Sequence, residues 1–428
     1  MNKKFYPEFN ETVVRTTLSN GLQVILNPKS NFNSTYGILT TDYGSINNYV
    51  ISENKIKQVP AGIAHFIEHK MFDKEKYDIS DLFAENSADN NAFTSFSKTS
   101  YLFSTTTNLS KNLDNLVELV MEPFFSTEKI QKEQGIIGQE ILMYQDDPSS
   151  RLYFDTIANL YCDSPLSQDI AGSIKSISEI TTDDLYESHR QYYFPQNLSL
   201  VLVGNFSENE IVAELENKFA KYSFGNPSQF EKLQEHAVAE IENSTVVEKT
   251  TTDMGLTTPK VAIGYRGLPV KTKGRLFSKA ELSFGIFLEM IFSEDSEIYQ
   301  SLYEKGIIND SFGFDFDIEE GYLFLILAED TKNPDQFVES IEIEINHIFA
   351  DPSLIESQFE LIKNEEIGDH FTSMDSISGI ANQMGDRLND FTNIYDEVEI
   401  IRELEFNDVI DFSRKFFKKS KKTINQIN

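Results

Sequence analysis

Two stretches of this chain, 224 positions apart, read alike. TDDLYESHRQYY occupies 182–193 and FNDVIDFSRKFF occupies 406–417. Asp184 then falls on Asp408, Leu185 on Val409, Arg190 on Arg414 and Tyr192-Tyr193 on Phe416-Phe417. The offset is about half of the 428 residues, and self-similarity at a fixed spacing marks a repeated structural unit. The chain is therefore expected to fold as two similar halves. The apolar segment SFGIFLEMIF can likewise be laid over AHFIEHKMF, which puts Glu289 on Glu68 but Ile286 and Met290 on His65 and His69. The two halves thus share a framework and differ in chemistry.

The stretch that carries the chemistry is AGIAHFIEHKMF, 61–72. Pro60 is suited to the start of a helix, where its missing N–H costs nothing. On that helix His65 and His69 are four apart and share a face, and Glu68 leans toward the same side. Two neutral imidazoles on one face can hold a zinc ion, with a nearby carboxylate to handle the proton of the attacking water. The order His-x-x-Glu-His is the inverzincin pattern. The plainer alternative is a solvated or core histidine pair, but the chain has only six histidines, and so few seldom fall into this spacing by chance.

A catalytic zinc site takes three protein ligands and leaves one position open. The helix expected over STEKIQKEQGIIGQEILMYQDDP, 126–148, offers the third. Ser126 or Thr127 caps it and Pro148 lies beyond its end. Glu133 and Glu140 are seven apart, nearly two full turns, and so share a face. Glu133 is the candidate ligand and Glu140 stands behind it, orienting a ligand or setting the electrostatics. A solvated carboxylate is the plainer reading of Glu133 taken alone. Gly135 and Gly138 weaken such a helix by roughly 1 kcal/mol each, and close approach of another backbone would explain them.

Along the rest of the chain, strands are expected at 13–28 around a Ser19-Asn20-Gly21 turn, at 34–43, at 198–206, and as a hairpin at 310–328 around Glu319-Glu320-Gly321. Residues 87–107 have strand composition. Beside a metal site such a strand can be an edge that takes up an extended peptide, or simply a member of the sheet. Helices are expected at 78–86, 110–121, 182–194, 207–221, 278–292, 334–349, 353–370 and 405–418. The domains are expected at 1–225 and 246–428, with 226–245 as the linker.

Composition narrows the function. A net charge of −32 argues against nucleic acid, which needs clustered Lys and Arg. It suits either an acidic cavity that attracts basic peptides or a merely acidic surface. No apolar run approaches the roughly 20 residues of a membrane span, and MNKKFYPEFNE has no signal-peptide core. Cys162 is the only cysteine, which excludes an intrachain disulfide. Together these features point to the cytoplasm.

GIAHFIEHKMF, NNAFTSFSKTSYLF, EKIQKEQGIIGQEILMYQDDP, IAGSIKSISEIT and SLYEKGIIND span nearly the whole chain. With them the chain resembles the pitrilysin/insulinase family of zinc peptidases. It is similar to the smaller branch typified by mitochondrial processing peptidase, and within that to its YmfH-like bacterial members. The resemblance implies an α+β fold of two similar halves, each a mainly antiparallel sheet with helices packed on it, four such halves forming a clamshell. It implies Zn²⁺ held by His65, His69 and Glu133, Glu68 as general base, Glu140 as a further catalytic glutamate, and Asn91, Ala92 and Phe93 on the strand that pairs with substrate. Such a protein is a zinc endopeptidase that cuts peptides or small unfolded proteins in a closed chamber.

One departure matters. Active members carry an Arg and a Tyr in the second half that hold the substrate carbonyl. Here Tyr303 stands where Arg is expected, and Asn309 or Asp310 where Tyr is expected. Such donors are typically worth about 2.7–4 kcal/mol in a barrier. The resemblance then implies a heterodimer in which a related chain supplies the Arg/Tyr pair. The alternative is a non-catalytic assembly subunit of the same fold.

Overall fold

Alternation along the strands decides the layers. A computed structural model describes residues 1–386 and 392–428. Its strands are β1 (Asn2–Tyr6), β2 (Glu11–Thr17), β3 (Gln23–Pro28), β4 (Thr35–Thr41), β5 (Tyr49–Ser52), β6 (Lys55–Gln58), β7 (Ala88–Thr94), β8 (Thr99–Thr105), β9 (Leu198–Gly204), β10 (Lys249–Thr252), β11 (Lys260–Arg266), β12 (Gly313–Glu319), β13 (Tyr322–Asp330) and β14 (Lys421–Ile427). The first sheet runs β1-β2-β3-β9-β4-β8-β7 and the second β10-β14-β11-β13-β12, while β5 and β6 form a separate hairpin. The β3–β9 and β10–β14 pairs are parallel and the other described pairs antiparallel.

The order β3-β9-β4-β8-β7 recurs as β10-β14-β11-β13-β12, so the expected duplication is present strand for strand. The matching residues of the sequence repeat do the same local work. Asp184 closes a capping box with Thr181 at the start of the helix Thr182–Tyr192, and Asp408 closes one with Glu405 at the start of Phe406–Lys419. The fold is the expected α+β arrangement of two halves with mainly antiparallel sheets.

Each sheet is buried on both faces, because successive side chains point to opposite sides. On β9, Leu198, Leu200 and Leu202 join the core beneath the helices of the first half, while Val201 and Val203 point the other way. On β13, Leu323, Leu325 and Leu327 face the helices of the second half, and Tyr322, Phe324 and Ile326 face away.

The far face of each sheet is covered by a helix from the other half. Pro148–Leu160 lies on β11 and β14 and buries Leu152, Ile157 and Leu160 there, whereas Ile377–Asp386 lies on β4 and β9 with Ile377, Ile380, Ala381 and Met384. The halves therefore exchange a helix. Pro148, expected only to lie past the preceding helix, opens this one, with Asp147 accepting from the Ser150 N–H at 2.7 Å. Arg266 ties the exchange together. Its guanidinium donates to the carbonyls of Leu160, Ile241, Glu242 and Ser244 at 2.8–3.2 Å and stacks on Tyr161.

The tract expected as a linker, 226–245, is mostly a packed helix, Pro227–Asn243. Its Leu233, Ala237 and Ile241 recur every four residues and are fully buried. No helix among the described residues is long and apolar enough to cross a membrane.

Candidate active site

The motif helix runs Ile63–Phe72. Gly62 precedes it at φ +87°, and a Cβ there would stand 2.3 Å from the Ala171 carbonyl oxygen. Gly172, at φ +79°, would meet the Ala61 oxygen at 2.5 Å in the same way. Here two backbones cross closely, and glycine is required on both. The expectation that Gly135 and Gly138 serve this purpose does not hold. Gly135 has open space and Gly138 only an ordinary contact with Ile174.

Ile63, Phe66, Ile67, Lys70 and Met71 are buried, which turns His65 and His69 toward the glutamate helix Thr127–Asp146. The imidazole rings lie 4.5 Å apart. His65 Nε2 is 3.8 Å from Glu140 Oε1, and His69 Nε2 is 3.9 Å from Glu140 Oε2. His65, His69 and Glu140 each offer a ligand atom, all within 4.8 Å of one another. A tetrahedral zinc with bonds of about 2.1 Å spaces its ligands about 3.4 Å apart, so this donor set fits the ion with small side-chain adjustments.

Glu133, expected as the third ligand, is placed elsewhere. Its Oε1 is 3.1 Å from His69 Nδ1, the ring nitrogen turned from Glu140, and its Oε2 accepts from Lys70 Nζ at 3.1 Å. Glu140, expected behind the ligands, is the carboxylate that meets both histidines.

The electrostatics follow from these contacts. Burial, helped by the charge of His69 and opposed by Glu133, pushes His65 down to about 4, which keeps the ring neutral. Burial would lower His69 too, but its bond to Glu133 and the nearby carboxylates outweigh that and raise it. Glu133 is lowered, because His69 and Lys70 overcome the effect of its burial. Glu68 is raised by burial, against a 2.8 Å hydrogen bond donated by the Thr94 hydroxyl.

That hydroxyl belongs to β7, the outer strand of the first sheet. Asn91 and Phe93 are exposed on it and Ala92 partly so, and the Asn91 side-chain oxygen accepts from the Ala92 N–H at 2.9 Å. Glu68 thus sits beside the outermost strand of the sheet. Beyond it opens a cavity of 1110 Å³ lined by Phe93, Ser97 and Lys98 on one side and by Glu289, Phe316, Asp317, Glu319 and Glu366 on the other. In the second half Ile286 and Met290, the counterparts of the histidines, are fully buried in the core. The Tyr303 hydroxyl donates to Asp310 at 2.9 Å, and the Asn309 amide donates to Glu329 and to the Asp330 carbonyl. Tyr303 and Asn309 are thus both engaged within their own half.

Two residues of this site escaped the sequence reading, Lys70 and Thr94. Lys70 had a signal: with Ile63, Phe66 and Ile67 it completes the i, i+3, i+4, i+7 spacing of a buried stripe. Thr94 had none beyond its place on the strand.

A profile described as Insulinase (Peptidase family M16) matches residues 52–173, and one described as Peptidase M16 inactive domain matches 179–366. The chain belongs to the insulinase family, peptidase family M16. It is 37% identical to the zinc protease YmfH of Bacillus subtilis over 94% of both chains. Among solved structures, an M16-like peptidase from Alicyclobacillus acidocaldarius superposes with a TM-score of 0.87 at 24% identity, covering 97% of this chain and 98% of the other. A protease from Helicobacter pylori gives 0.80 at 18% identity over 97% and 99%.

Proposed function

We propose that this chain is the zinc-bearing subunit of a cytoplasmic endopeptidase that cuts peptides or small unfolded proteins, with the metal held by His65, His69 and Glu140. The observation that carries the proposal is the convergence of these three groups beside Glu68 and the edge strand β7. A bound zinc ion would supply a water of lowered pKa and polarise the scissile carbonyl. The substrate backbone adds to β7 as a further strand, along Asn91, Ala92 and Phe93. Glu68, within reach of that edge, takes the proton of the attacking water and returns it to the leaving amine. Glu133 holds the His69 Nδ1–H and so fixes which nitrogen faces the metal.

Catalysis is completed by a related chain that carries the Arg/Tyr pair, since Tyr303 and Asn309 offer no fixed positive charge. The acidic wall of the cavity favours substrates with Lys or Arg. The test is cleavage of a quenched fluorescent peptide library by the purified zinc-loaded chain, alone and with such a related chain. Activity only in the mixture supports the split site. Stoichiometric zinc with no cleavage in either case favours a non-catalytic assembly subunit, a reading that the engaged Tyr303 and Asn309 also motivate.

A further inference from the structure

Lys70 follows directly on a histidine of the site, yet its side chain is only 2% exposed. A buried ammonium must be paired and hydrogen-bonded. Lys70 has two carboxylates, Glu133 Oε2 at 3.1 Å and Asp73 one turn along its own helix. Asp73 is held in turn by Lys129 Nζ at 3.3 Å, and that ammonium also donates to the Lys74 carbonyl at 2.6 Å. The result is a row of alternating charges, Lys129, Asp73, Lys70 and Glu133, that ends on His69. Each oxygen of Glu133 is used in it, Oε1 by His69 Nδ1 and Oε2 by Lys70.

We propose that Lys70 is a positioning residue that acts through Glu133. It pins that carboxylate on the Nδ1 side of His69, which keeps Nε2 aimed at Glu140 and keeps Glu133 out of the ligand set. The inference rests on the reading of this site as a zinc centre. Packing alone gives no reason for a lysine here. A methionine fills similar space without a charge to desolvate, and such replacements of buried ion pairs are often neutral or stabilising.

The experiment compares the full-length chain with Lys70→Met, Lys70→Arg, Glu133→Gln and the double variant Lys70→Met/Glu133→Gln. Zinc affinity is read by competition with a chromophoric chelator, ligand geometry by the visible absorption of the cobalt-loaded protein, and folding by the melting of the metal-free protein. Wild type is expected to bind one equivalent. Lys70→Met should weaken binding by about 10–100-fold, the usual effect of losing a partner behind a metal ligand, and alter the cobalt bands. Lys70→Arg should recover most of both.

The double variant should bind no more weakly than Glu133→Gln, because Lys70 then has nothing to act through. It also removes the negative charge that Glu133 would keep buried without Lys70, so it reports even if Lys70→Met does not fold. Unchanged affinity and spectrum in Lys70→Met overturn the proposal, whatever happens to its melting. So does a further loss, beyond about threefold, from Glu133→Gln to the double variant. A wild type that binds no zinc removes the zinc reading and this inference with it.

Discussion

Replacing each of the two glutamates by glutamine separates the metal ligand from its support. Glu140 lies 3.8 and 3.9 Å from the Nε2 atoms of His65 and His69, and glutamine keeps its shape while removing its charge. A zinc site worth roughly 12 kcal/mol over three ligands owes about 4 kcal/mol to each, or about a thousandfold in affinity. Glu140→Gln should lose most of that. Of the two histidines Glu133 meets one, at the far nitrogen of His69, and its other oxygen is taken by Lys70. Its glutamine still offers a carbonyl oxygen to the Nδ1–H, so the expected loss is about 10–100-fold. The assay is chelator competition at fixed pH and ionic strength, with circular dichroism to confirm that each variant is folded. The ligand assignment would be refuted if Glu133→Gln lost more zinc affinity than Glu140→Gln, or if Glu140→Gln held zinc within tenfold of wild type.

Glu68→Gln should keep zinc and lower kcat by about 10²–10⁴-fold, the usual worth of a general base; normal turnover of the active assembly would reject the assignment. Gly62→Ala combines a left-handed φ with the clash against Ala171 and should destabilise by about 2 kcal/mol or more, read as a lower urea midpoint. Arg266→Met strips partners from four carbonyls at the junction of the halves and should cost about 3 kcal/mol; a midpoint within error of wild type would show that the clamp carries no net stability. Asp317 lies between Asp315 and Glu319, accepts from Tyr322 and faces Lys98, and burial, followed by the charge of Glu319, pushes it up to about 7. A carboxyl raised on folding binds a proton in the native state that the unfolded chain has released, so stability falls as pH rises from about 4 to 7. Asp317→Asn should therefore be more stable than wild type at pH 8, by on the order of 2 kcal/mol after allowing for partial solvent access, with the difference vanishing toward pH 4.

What the sequence disclosed was whatever has a local signature. A β-rich apolar run found β9, the turn at Glu319-Glu320-Gly321 found the β12–β13 hairpin, capping residues found the start of the glutamate helix, and the repeat found the two halves. The helix at 148–160 escaped because proline serves equally to follow one helix and to open the next. The helix at 227–243 escaped because its buried positions, though four apart, are only three in a charged run. The strands β1 (NKKFY), β5 (YVIS) and β6 (KIKQ) are too short to show a period of two. Helix phase put Glu133 and Glu140 on one face but could not rank them. They stand about 10 Å apart along the axis, and only the placement of the two histidines decides which carboxylate reaches both Nε2 atoms. The pairing of Lys70 with the other carboxylate needed the same tertiary information, although its place on the buried stripe did not.

The exchange of helices between the halves sets a clock on synthesis. Ile25, Ile38, Val201 and Val203 line the face of the first sheet that the helix Ile377–Asp386 covers. Ile377 is 173 positions beyond Gly204, the last residue of that sheet to be made. At about 5–20 residues per second, the ribosome needs roughly 10–35 s to deliver the cover. For that interval a finished apolar sheet face stands open to water, to other nascent chains and to chaperones. The first half cannot mature when it leaves the ribosome. It waits for residues 377–386, and the aggregation liability of that face lasts until they emerge.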